Sequence, residues 1–165
     1  MIPEFSRVVE TGRIGPQGLE IEVVAEAAER ERLATRFGVP AIDALACAFR
    51  LRRGLGGTVM AEGALRARVT QVCVVSTDPF EADVAEDFVL CFAPEADMPA
   101  EIDPEDPVDM VPMAGGAIDL GEAAAEQLSL ALEPYPRKPG ATPPDLGEAE
   151  PASPFAALER LRSRH

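Results

Sequence analysis

Tryptophan is absent from the 165 residues, tyrosine occurs once, and the single histidine, His165, is the last residue. That leaves no Ser–His or Cys–His pair to activate a nucleophile and removes every histidine-based metal site. With only seven phenylalanines the core has to rest on Leu, Val, Ala and Phe. Interleaved basic and aromatic residues, the platform for single-stranded nucleic acid, are missing as well. No apolar run approaches the ~18 residues of a membrane-spanning helix. The start, Met1-Ile2-Pro3-Glu4, lacks a basic n-region and an apolar h-region, so no signal peptide is expected. Cysteine is scarce and odd in number: Cys47, Cys73 and Cys91 lie in strand-like apolar runs without framework spacing. They read as buried free thiols in a reducing, cytoplasmic setting. Cys73-Val74-Val75-Ser76 stops one residue short of a CxxC pair, so no stoichiometric zinc and no cofactor are expected.

Positive charge is missing from the middle of the chain. Between Arg68 and Arg137 there is no Lys or Arg, whereas that interval holds sixteen Asp and Glu. Ten of the fifteen basic residues lie at or before Arg68, and the net charge is −14. Such an acidic half repels nucleic-acid backbone and anionic membrane and attracts basic protein. A charged surface that serves solubility alone would look the same.

What is present is organised around Ala64–Pro94, two apolar-alternating runs joined at Ser76-Thr77-Asp78-Pro79, which reads as a central antiparallel hairpin. Before it, Phe5–Glu10 and Leu19–Val23 read as strands separated by the breakers Gly12, Gly15, Pro16 and Gly18. Glu26–Phe37 has helical period, with Gly38 beyond it as C-cap. Leu45–Arg52 and Val59–Val69 alternate with one parity across Gly54-Leu55-Gly56-Gly57, predicting a second hairpin with a glycine-rich turn and a bulge. Phe80, Ala82, Val84, Phe88, Leu90 and Phe92 share a side that Glu86 interrupts, where a bulge or a local edge is expected. Five prolines and seven acids make 93–117 a long acidic loop, with at most an edge strand near Val108–Val111. Its acids lack the ligand spacing, central Gly and closing Glu of an EF-hand. Asp119–Leu132 is the clearest helix, with Asp119 at the N-cap.

These elements predict an α+β fold: a twisted antiparallel sheet or partly closed barrel, with a packed C-terminal helix and one short N-terminal helix. Leu120, Leu128, Phe49, Leu65, Phe88 and Leu90 are expected in one core. Residues 1–133 form a single domain, 134–152 a Pro-rich linker, and 153–165 a short helix with Ser153 as cap.

Two surfaces and the tail stand out as candidate contacts. Arg50, Arg52, Arg66 and Arg68 fall on one face of adjacent strands, beside Glu62. They either pair with carboxylates of their own chain or meet a phosphate or acidic peptide. Asp103, Glu105, Asp106 and Asp109 make the densest acidic run. Phe155, Leu158 and Leu161 form an apolar stripe on a segment too short to be helical alone in water.

The run from Gly63 to Phe92, GALRARVTQVCVVSTDPFEADVAEDFVLCF, resembles the central segment of the YceD family, the large ribosomal RNA subunit accumulation proteins. Phe5-Ser6-Arg7-Val8-Val9 looks like the family's opening strand. Ile118-Asp119-Leu120 followed by Gln127-Leu128 and closed by Pro134 looks like its helix, and Pro154-Phe155-Ala156-Ala157-Leu158 looks like its tail. On this reading the resemblance covers essentially the whole chain. It departs at the CxRC of many members, where Cys73 stands alone and Ser76 takes the second place. The resemblance implies a ribosome-biogenesis factor needed for large-subunit (23S) ribosomal RNA to accumulate. Combined with the charge, it points to a non-enzymatic acidic adaptor for a basic ribosomal or assembly protein, leaving room for an indirect contact with ribosomal RNA. No small-molecule substrate is identified. The alternatives are a nuclease or hydrolase acting on ribosomal RNA, or a small-ligand-binding barrel.

Overall fold

The computed structural model describes residues 3–98 and 108–143. Five strands form the main sheet in the order β2 (Leu19–Val24), β3 (Ala41–Arg53), β4 (Val59–Val72), β5 (Pro79–Pro94) and β6 (Asp109–Met113). A second, two-stranded sheet pairs β1 (Val8–Glu10) with β7 (Ala117–Asp119). Helix α1 (Ala27–Phe37) follows β2, and α2 (Leu120–Ala131) follows β7 directly.

Alternation sets the inner face. Leu45, Cys47, Phe49 and Leu51 of β3 lie across from Leu65, Ala61 and their odd-numbered neighbours on β4, and all six are buried. The opposite parity faces outward with Arg50, Glu62, Arg66 and Arg68. Odd does face odd, Leu51 against Ala61 and Arg50 against Glu62, as two apolar sets sharing one side require. The bulge lies at the far end of this hairpin, between Ile42 and Ala44, where Asp43 is the extra residue. The turn itself closes through Gly56 and Gly57, at φ of 65° and 79°. Only glycine takes those angles readily.

Three expectations are corrected. The main sheet is mixed, because β6 runs parallel to β5, with Leu90 against Asp109 and Pro94 against Met113. The fourteen residues between Pro94 and Asp109 are enough for the chain to return and lie beside β5 in the same direction, as a parallel pair needs a long crossover. The sheet is also open: among the described residues β2 and β6 are its edges, and no strand closes a barrel. Finally, β5 has no bulge at Glu86. Its register with β4 is unbroken from Val59–Phe92 to Val72–Pro79, and Glu86 sits opposite Leu65. Ala82, Val84 and Phe88 are only half-buried on that side, so an exposed Glu86 reaches water without distorting the strand.

The helices cover part of the inner face. Leu33 and Ala34 of α1, and Leu120, Ala124 and Leu128 of α2, join Phe5, Val9 and Ile14 in one core with the strands. Of the six expected core residues five are buried; Phe88 is half-buried and meets Phe49 edge-on, centroids 5.8 Å apart at 75°. Its ring lies over Gly63, where a Cβ would fall 2.2 Å from the ring.

Asp119 fixes the start of α2. Its Oδ1 accepts from the backbone N–H of Gly121 (3.0 Å) and Glu122 (3.2 Å), the N-cap pattern. The same carboxylate accepts from the Arg7 N–H (2.7 Å) and the Ser6 hydroxyl, so it also ties the opening segment to the helix. That segment passes so close that a Cβ at Gly121 would lie 2.8 Å from the Phe5 carbonyl oxygen.

Candidate functional site

Arg50, Arg66 and Arg68 are brought together as the alternation requires, and each has a partner. Arg50 pairs with Glu20 (2.9 Å) and Glu62 (3.7 Å), Arg66 with Asp87 (3.2 Å), and Arg68 with Asp83 (3.0 Å). These pairs join neighbouring strands on the outer face of the sheet, which no described element covers. All are solvent-exposed, so each adds little to stability. Arg52 lies apart, beside the Gly15–Gly18 turn. Between the pairs the outer face dips into a trough of about 890 Å³ at the small residues Ala48 and Ala64. The arginine patch is thus a lattice of alternating charge.

Of the acidic run, Asp109 opens β6 and is exposed. Asp103, Glu105 and Asp106 lie outside the described residues, as do Phe155, Leu158 and Leu161.

Cys73 is buried at the β4–β5 turn. Its Sγ accepts from the backbone N–H of Val75 and Ser76, both at 3.4 Å. The Ser76 side chain, then the surrounding backbone N–H groups, pull its thiol down to about 7. Cys47, buried in the inner face, is pushed up to about 12 by desolvation. Among the described residues no three His, Cys, Asp or Glu side chains stand together to hold a metal ion.

Leu120 and Leu128 are fully buried and Gln127 is half-buried, so α2 carries packing residues along its inner side. Pro134 is exposed at its end. Beyond it the chain runs along the turn that holds Cys73: Val74 N–H donates to the Pro136 carbonyl (2.9 Å), and Lys138 lies 3.7 Å from Asp78.

Sequence reasoning missed a second line of charge. Arg7 grips Glu29 with both guanidinium nitrogens at 2.8 Å, and Arg36 bridges Glu4 (3.1 Å) and Glu122 (2.7 Å). Glu122, three residues after the Asp119 cap, turns to Arg36. Glu126, one turn further on, lines the same groove as Glu122, against β6. The available signal was two acids at i and i+4 with no Lys or Arg within reach along the helix.

A family model described as "Large ribosomal RNA subunit accumulation protein YceD" matches residues 61–162. That interval is more than half of the 165-residue chain. The chain belongs to the YceD family. Its family segment begins on β4 and runs through β5, β6, β7 and α2; the likeness of Phe5–Val9 to an opening strand lies outside the match. No curated protein and no solved structure matches the chain. The family's description implies a role in accumulation of the large ribosomal RNA subunit.

Proposed function

We propose that this YceD-family protein supports large-subunit ribosomal RNA accumulation without catalysing a reaction, as an acidic adaptor that holds a basic ribosomal or assembly protein in the cytoplasm. The observation that carries this reading is the pairing of the outer-face arginines. With Arg50, Arg66 and Arg68 each committed to a carboxylate, the sheet offers no free basic stripe for a phosphate backbone. A chain at −14 is a poor general RNA binder, because the phosphate contacts that dominate affinity need net positive charge. The acidic interval between Arg68 and Arg137, with Asp103, Glu105, Asp106 and Asp109 at its densest, instead complements a basic surface. The apolar stripe of Phe155, Leu158 and Leu161 supplies a second, tethered contact to the same partner, raising its local concentration.

The test is recovery of bound proteins from a cell extract at low salt, with and without ribonuclease. The expected result is a basic ribosomal or assembly protein that stays bound after ribonuclease. It should leave as salt rises, since exposed charges are screened over about 10 Å at 0.1 M. Recovery of ribosomal RNA, with all protein lost on ribonuclease treatment, would overturn the reading.

A further inference from the structure

A groove of about 600 Å³ runs along the outer edge of the main sheet, between β6 and α2. Its walls are apolar, with Phe92, Met110, Val111, Met113, Ile118 and Ala123. Glu122 and Glu126, one helical turn apart, line it as well, and no described Lys or Arg does. Glu122 is half satisfied: Oε1 takes Arg36 at 2.7 Å, while Oε2 is buried with no hydrogen-bond partner among the described residues. A buried acceptor left unpaired is costly and calls for a partner. Glu126 sits at the mouth, where partial burial and the charge of Glu122 push its carboxyl above the usual glutamate range. Both conditions are relieved by one added cation. The strand bordering the groove, β6, is hydrogen-bonded to β5 on one side and is the last strand of the sheet among the described residues. An unpaired strand edge is a template for another extended chain.

We propose that this groove receives an extended, Lys- or Arg-bearing segment of a basic protein, laid along β6 with a cationic side chain reaching Glu122 and Glu126. The aliphatic stem of that side chain packs on the apolar walls while its head meets the carboxylates. The backbone of the segment takes up the edge of β6 that no described strand pairs. The proposal deepens the adaptor reading, on which it rests for the kind of partner, by giving that partner a place to bind.

The experiment uses full-length protein, isotope-labelled for amide resonances. It is titrated with the synthetic peptide acetyl-Gly-Val-Arg-Val-Lys-Val-Gly-amide and with the same peptide carrying Glu for both basic residues. Saturable shifts at 109–114 and 120–126 are expected with the basic peptide only. Combining Glu122→Gln with Glu126→Gln should weaken binding about tenfold, the loss of one charge-assisted contact. Glu126 makes no ion pair with a described residue, so Glu126→Gln alone leaves the fold intact and should weaken binding about threefold. Absence of shifts in the groove, equal shifts with the acidic peptide, or undiminished affinity in Glu126→Gln would overturn the proposal. So would tighter peptide binding by the full-length Arg160→Glu, Arg162→Glu, Arg164→Glu variant, which would show that the protein's own tail fills the groove. A failed titration removes the groove and leaves the adaptor reading to the Asp103–Asp109 run. A failed adaptor reading, scored by the ribonuclease-treated recovery, leaves the titration result standing.

Discussion

Gly63 and Gly121 are required by what lies against them. At Gly63 the obstacle is the Phe88 ring; at Gly121 it is backbone, with Phe5 O, Arg7 N and Ser6 Cα all within 2.9 Å of a built Cβ. Gly121→Ala should therefore destabilise by about 1–3 kcal/mol, since a passing backbone segment cannot step aside as a ring can. Gly63→Ala should cost less in a Phe88→Ala background than in the wild type, and equal costs in the two backgrounds would refute the stacking. Neither glycine is explicable from sequence, where one weakens a strand and the other a helix start, because each contact is made with a residue remote along the chain. Two glutamates give opposite pH signatures. Arg7 holds the Glu29 carboxyl below its usual range, so its stabilisation is present above the unfolded value and is lost as pH falls through the folded one. Glu29→Gln should flatten the acid limb of the melting curve. Glu126 is raised by burial and by Glu122, so its contribution is present at low pH and is lost as pH rises. Glu126→Gln should raise the melting temperature at neutral pH and change little in acid; a fall at neutral pH would contradict its placement.

At the scale of elements, periodicity carried the reading where a strand has one covered face. The two long hairpins and α2 were legible because Leu45–Leu51, Val59–Val69 and Asp119–Leu132 alternate cleanly between core and solvent. The parallel pairing of β6 was not. Five residues containing Pro112 carry no sign of their direction, which follows from the path of the chain between β5 and β6. The groove was illegible for the same reason, since β6 supplies one of its walls. Leu128 lies fully buried on the inner side of α2, and Leu128→Ala should cost about 2–5 kcal/mol through the cavity it leaves. An unchanged denaturation midpoint would refute that packing. The tail tests differently. Removing residues 150–165 should leave the midpoint where it is and weaken partner binding, if Phe155, Leu158 and Leu161 serve as a tethered docking stripe. A midpoint several degrees lower with binding intact would make the segment part of the core.

Across the whole molecule the decisive feature is how charge is distributed. Arg50, Arg66 and Arg68 pair with carboxylates on their own sheet, and the acidic excess comes later in the sequence, between Arg68 and Arg137. That segregation was legible in the sequence as a count; the neutralisation of the arginine face needed the cross-strand register, which places Arg66 opposite Ala85 and Arg68 opposite Asp83. On this reading the acidic side of the molecule is the working one. The most direct measurement is the ratio of large- to small-subunit ribosomal RNA in host cells lacking the protein and complemented with variants. Neutralising Asp103, Glu105, Asp106 and Asp109 together should fail to restore the ratio, while replacing Arg66 and Arg68 by Gln should restore it. Rescue by the acid-neutralised variant and failure of the arginine variant would contradict the account and move the function to the arginine face.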